Sequence, residues 1–118
     1  VDRGVGDPLV LLHGFGASTL LWEPVLPRLA ASRRVIAIDL NGFGWTERPR
    51  EPEAYTLEGQ ERRVLGVAAA LGLARFDLAG HSYGGAISIY LAARHPERVR
   101  PAASSAWRHH RWTSRRTR

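Results

Sequence analysis

The stretch AGHSYGG, Ala79–Gly85, places one serine between glycines two positions away on either side. The residues before it, RFDLAG (75–80), read as a short strand. Those after it, YGGAISIYLAARHP (83–96), read as a helix that Pro96 terminates. A strand that turns at once into a helix presents its serine at the C-terminal edge of a parallel sheet. Such a turn is strained and its neighbouring chains pass close, so a side chain two residues either side of the serine would clash. Gly80 and Gly84 stand at those two places. The helix that follows aims its N-terminus at Ser82 Oγ, where free N–H groups favour developing negative charge. The pattern G-x-S-x-G is weak alone, because Gly and Ser are common. Its position between a strand and a helix gives it chemical content.

Working outward, PLVLLHG (Pro8–Gly14) and RVIAIDL (Arg34–Leu40) are continuous apolar runs, as expected of strands buried on both faces. Between them, Phe15–Ser32 opens with Ser18 or Thr19 as a candidate cap. Leu21, Trp22, Val25, Leu26 and Leu29 fall on one helical side, although Pro27 demands a break or kink. Asn41–Tyr55 is a polar loop with Gly and Pro, in which Trp45 is expected to act as an anchor near the site mouth. A helix is expected from Thr56, with Leu57, Val64, Leu65, Ala68 and Leu71 in period and Gly72 as its stop. Alternation of strands and helices at these spacings predicts parallel βαβ units with right-handed crossovers, here three core strands.

A second element sits at the end of the first strand: HGFG, His13–Gly16. In a parallel sheet its backbone lies beside the strand ending at Ser82. The N–H groups of Phe15 and Tyr83 can then face one substrate oxygen, an arrangement that stabilises an acyl-transfer oxyanion by roughly 2.7–4 kcal/mol per donor. His13 is read as a turn residue, not a base.

These residues resemble the α/β-hydrolase family. LVLLHGFGAS is similar to its third strand and oxyanion loop, RVIAIDLNGFGWTERP to its fourth strand and following loop, and FDLAGHSYGGAIS to its fifth strand, nucleophile elbow and helix. The resemblance covers about residues 8–100. It implies a serine hydrolase acting on esters or related carbonyl compounds through an acyl-enzyme. Ser82 is the implied nucleophile, and Phe15 and Tyr83 are the implied oxyanion donors. His13, Gly14, Gly80, His81 and Gly84 are the implied supporting motif residues. No cofactor or metal is implied. A serine here, where an aspartate would mark the epoxide-hydrolase and haloalkane-dehalogenase branches, points to esterases, C–C hydrolases or perhydrolase-like enzymes.

The family's triad continues, after the serine, with an acid and then a histidine. Glu97 is the only acid after Ser82, and it ends the helix that leads away from the serine. His81 is expected to face into the sheet packing, His95 lies several turns off, and His109 and His110 fall in the tail. Asp39 is read as a loop-structuring residue and Asp77 as a strand-end residue. The base is missing, so this chain is expected to be weak or inactive. The family's first antiparallel strands and its later strands and lid are also expected to be absent. That would leave sheet edges through which copies can self-associate.

Composition agrees with a soluble globular domain, at 44% apolar and 24% charged residues. No apolar run nears the about 18 residues that span a membrane, and there is no signal segment, so a cytoplasmic location is expected. With no Cys there is no disulfide framework or thiolate metal site. A chain without Met that begins at Val1 is read as starting from a non-ATG codon or as an internal piece.

The formal charge of +6 comes almost wholly from residues 101–118, where Arg108, Arg111, Arg115, Arg116 and Arg118 meet no acid. The organisation expected is therefore a partial α/β-hydrolase domain at 1–100 and an irregular Arg-rich tail at 101–118. Trp107 and Trp112 interleaved with arginines suit single-stranded nucleic acid, in a non-catalytic binding module. Basic tails are more often merely solvated, so nucleic acid is not the expected partner. Frameshift or truncation is the favoured origin of the tail. Read two bases further on, TCN codons at Ser104 and Ser105 and the codon of Trp107 become apolar codons, as a sixth strand needs.

Overall fold

The structure is a computed structural model that describes residues 1–102. The expected tail residues Trp107, Arg108, His109, His110, Arg111, Trp112, Arg115, Arg116 and Arg118 lie outside the described residues.

Five strands form one mixed sheet. They are β1 (Asp2–Arg3), β2 (Pro8–Leu12), β3 (Arg34–Ile38), β4 (Phe76–Gly80) and β5 (Val99–Pro101), in spatial order β1-β3-β2-β4-β5. β2 is central and pairs in parallel with β3, Leu12 opposite Ile38, and with β4, Leu12 opposite Gly80. The three core strands and their parallel order are those expected from the apolar runs. Two short strands add to them, an antiparallel pairing of Asp2 and Arg3 with Ile36 and Val35 and a parallel one of Val99–Pro101 with Phe76–Leu78. The expectation that antiparallel strands were absent is corrected by β1. Both additions are too short to carry a period of their own, and pairing defines them instead.

Alternation along each strand divides the core. Val10, Leu12, Ile36, Ile38, Phe76 and Leu78 face α2 (Leu57–Ala70) and α3 (Tyr83–Arg94), meeting Val64, Ala68, Ile87 and Leu91. Leu9, Leu11, Val35 and Ala37 face the other way, toward α1 (Leu26–Ala30) with Leu26, Leu29 and Trp22. β2 is thus apolar at every position because helices cover both of its faces.

The helix expected over Phe15–Ser32 is broken in two. Ser18 accepts from the Leu20 N–H and starts a 3₁₀ turn at Thr19–Trp22, and Pro27 sits in the first turn of the separate α1. Proline lacks the donor that continued helix would need, so it is tolerated only at a helix start. Thr56 caps α2 by accepting from the Gly59 N–H, and Gly72 leaves it at φ +69°. Among the described residues no helix is long and apolar enough to cross a membrane.

Candidate active site

β4 ends at Gly80 and α3 begins at Tyr83, so the chain reverses over His81 and Ser82. Ser82 has φ 54° and ψ −113°, and is the one non-glycine residue with positive φ among the described residues. A side chain in that region costs about 1–3 kcal/mol and persists only where packing imposes it. Gly80 and Gly84 show the packing. A Cβ on Gly80 would stand 2.1 Å from the Gly84 carbonyl oxygen, and one on Gly84 2.4 Å from that of Leu12. The helix start is pressed against β2 and β4, and the serine takes up the strain. Replacing Ser82 by Gly, set against Ser82→Ala, is therefore expected to raise stability by about 1 kcal/mol once glycine's own entropy is subtracted. Thermal melts of the two variants check this, and equal midpoints would remove strain from the account.

Ser82 is exposed, and its Oγ makes no hydrogen bond to a described residue. Its carbonyl accepts from the Ala86 N–H at 3.1 Å and so belongs to the first turn of α3. The turn after β2 runs alongside. The His81 N–H donates to the Leu12 carbonyl at 3.0 Å, and a Cβ on Gly14 would lie 3.4 Å from Ser82 Cβ. The HGFG turn and the serine turn are therefore in contact, as the sequence spacing predicted. Among the described residues neither the Phe15 nor the Tyr83 N–H has an acceptor. The Phe15 ring is 79% exposed, yet it meets Phe43 edge-on at 5.1 Å and Tyr83 at 6.1 Å, which joins the two turns.

The histidines occupy three different environments. His13 is wholly buried: its Nε2 accepts from the Leu40 N–H at 3.0 Å and its Nδ1 contacts the Gly14 carbonyl at 2.7 Å. Its lone pair is used and cannot serve Ser82. His95 ends α3 and donates to Glu61 on α2 at 2.5 Å. His81 is exposed, which corrects the expectation that it faces into the sheet. It follows Gly80, the last residue of β4, and lies in the turn that leads into α3. Asp39 accepts from the Thr19 N–H at 2.8 Å and the Trp45 N–H at 3.1 Å, pinning the two loops that flank the HGFG turn. Trp45 is thus anchored by its backbone, and its ring is 95% exposed. Asp77 pairs with Arg33 and Arg100 and is committed there. The Asp39, Leu40 and Phe43 partners were not legible in the sequence, since they depend on contacts across loops rather than on a local motif.

A cavity of about 340 Å³ opens beside β3, lined by Thr19, Asp39, Trp45, Thr46, Arg63 and Val67 among others. Ser82 is not part of its lining. No group of three or more His, Cys, Asp or Glu suited to a metal occurs among the described residues.

Comparison with known proteins agrees with this geometry. A family model described as the alpha/beta hydrolase fold matches residues 7–114. The 2-hydroxymuconate semialdehyde hydrolase of Pseudomonas sp. (strain CF600) is 46% identical over 102 residues, covering 84% of this chain and 36% of that protein. The haloalkane dehalogenase of Agrobacterium fabrum is 40% identical over 103 residues, covering 87% and 33%. The structure of an epoxide hydrolase from an endophytic Streptomyces superposes with a TM-score of 0.80 at 32% identity, over 83% of this chain and 30% of that one. The chain spans about a third of the length of the relatives it matches. With strand, turn and helix arranged as described and most of its length matched, this chain belongs to the α/β hydrolase fold family.

Proposed function

We propose that this chain carries the nucleophile and the oxyanion-binding turn of a serine hydrolase acting on small carbonyl compounds. The observation that carries the reading is Ser82, strained at φ 54° at the start of α3 with its hydroxyl exposed and unbonded among the described residues. In this reading Ser82 Oγ adds to the carbonyl carbon and gives up its proton to a base. The carbonyl oxygen becomes an oxyanion in front of the Phe15 and Tyr83 N–H groups. Collapse expels the protonated leaving group and leaves an acyl-serine, which water hydrolyses to the acid.

The hydroxyl selects among the chemistries that the relatives' names describe. Opening an epoxide or displacing a halide with a serine would leave an alkyl ether, which water does not cleave, so the enzyme would stop after one turnover. A carbonyl substrate leaves an ester, which it does cleave. The 46% identity to a semialdehyde hydrolase supports the carbonyl class.

Among the described residues no histidine or carboxylate bonds to Ser82 Oγ, so what the described residues supply to turnover is the oxyanion donors and binding. Such sites retain about 10³–10⁴-fold over water, far below a complete triad. The test compares the purified chain with Ser82→Ala in hydrolysis of p-nitrophenyl acetate and in labelling by a fluorophosphonate, read by mass spectrometry. Slow labelling confined to Ser82 is expected. A folded chain that never labels there removes the reading, and fast Ser82-dependent turnover would place a base in His109 or His110.

A further inference from the structure

The site described so far gives the wholly buried His13 no chemical role. Its two ring nitrogens have different partners. Leu40 is a backbone N–H donor, so the Nε2 facing it at 3.0 Å must accept and carries no proton. The proton is therefore on Nδ1, which donates to the Gly14 carbonyl at 2.7 Å. That carbonyl also accepts from the Ala17 N–H at 3.2 Å.

A trans peptide points its C=O and the following N–H in opposite directions. With the Gly14 oxygen drawn to the imidazole and to Ala17, the N–H of Phe15, in the same peptide plane, is turned away from His13. Gly14 is the residue whose Cβ would stand 3.4 Å from Ser82 Cβ, so the peptide it opens borders the nucleophile. If this plane rotated by half a turn, the Gly14 oxygen would occupy the place of the donor and repel the developing oxyanion. Such a rotation changes ψ at Gly14, which has no Cβ to resist it, and φ at Phe15. The bond from the buried imidazole to the Gly14 carbonyl opposes that rotation.

We infer that His13 is a positioning residue. Held by the Leu40 N–H as the Nδ1–H tautomer, it locks the Gly14–Phe15 peptide with the Phe15 N–H turned to the Ser82 side. The inference rests on the reading of Phe15 as an oxyanion donor. It adds a long-range dependence, because the loop after β3 selects the tautomer that orients the turn after β2. The ring also meets Phe43 edge-on at 5.6 Å, so the same loop fixes its plane.

Two substitutions separate orientation from mere packing. His13→Asn places an amide N–H close to the position of Nδ1 and keeps a donor for the Gly14 carbonyl. His13→Gln reaches the position of Nε2 and keeps an acceptor for the Leu40 N–H while losing the donor. Rates of Ser82 phosphonylation by a fluorophosphonate are measured on the full chain, with melting curves for each variant. The Asn variant is expected to keep most of the wild-type rate, and the Gln and Ala variants to lose about 10²-fold, the usual effect of one oxyanion donor. Rates that follow melting temperature, with Gln at or above Asn, overturn the proposal. Long-range ¹H–¹⁵N spectra of the wild-type imidazole give a second readout that needs no reactivity. A protonated Nδ1 and bare Nε2 are expected, with the Phe15 amide signal displaced in Gln but not in Asn. The opposite tautomer overturns the proposal. Failure of wild-type Ser82 to label counts against the hydrolase reading alone, and the spectra still decide the role of His13.

Discussion

Gly84→Ala is expected to cost about 3 kcal/mol or more, enough to lower the melting temperature of a domain this size by more than 10 °C or so. The added methyl carbon would lie 2.4 Å from the Leu12 carbonyl oxygen, 2.5 Å from that of His13 and 2.7 Å from the Leu12 carbonyl carbon. All three are backbone atoms of the central strand or of the turn that leaves it. A flexible side chain could swing aside, but β2 is hydrogen-bonded to β3 and β4 on its two edges and has nowhere to go. The strain must then be relieved by lifting α3, which would also withdraw Ile87 and Leu91 from the core. Two controls isolate the cause. A Cβ on Gly85, one position on, meets nothing closer than 3.4 Å, and Gly66 in α2 has open space around it. Gly85→Ala and Gly66→Ala, both in helices, should be neutral or stabilise by up to about 1 kcal/mol through helix propensity. If Gly84→Ala melts with those two, the close approach of α3 to β2 is not what holds the serine turn.

That close approach is also the part of the molecule most legible in the sequence. Glycines at 80 and 84 around a serine, after an apolar run and before a helical period, have few other uses. β2 and β3 announced themselves by apolar runs because helices cover both faces of the sheet there, and β4 by its place just before the serine turn. β1 did not, since Asp2 and Arg3 are both exposed and become a strand only by pairing with Ile36 and Val35. β5 has one buried residue, Val99, and ends in a proline, a pattern no periodicity rule would accept. Within Phe15–Ser32 the apolar spacing was helical, but Pro24 and Pro27 overrode it. The His13 tautomer depends on an N–H 27 positions later. Local geometry and apolar pattern are written locally, whereas polar partnerships are settled by which loops the fold brings together.

Another such partnership, away from the site, joins α2 to the end of α3, and it supports the last prediction. Glu61 is buried to 8% exposure in α2 and takes hydrogen bonds on one oxygen from Arg94 at 2.9 Å and His95 at 2.5 Å. His95 in turn holds the turn into β5, since its carbonyl accepts from the Arg98 and Val99 N–H groups. Burial by itself pushes the Glu61 carboxyl upward, but the bonds from Arg94 and His95 outweigh it and leave the group below the ordinary glutamate range. A carboxyl whose value is lowered on folding contributes stability that is complete above its unfolded value and disappears as pH falls through its folded one. Glu61→Gln should therefore destabilise at neutral pH by about 1–2 kcal/mol, a figure kept small because Arg94 is more than half exposed and its charge is screened. The gap between the two melting curves should stay constant down to the ordinary glutamate range and narrow as pH falls below it. A gap that is the same at both ends would mean that Glu61 matters for its shape and not its charge. One that widens in acid would reverse the sign and place the carboxyl above its ordinary range in the folded chain.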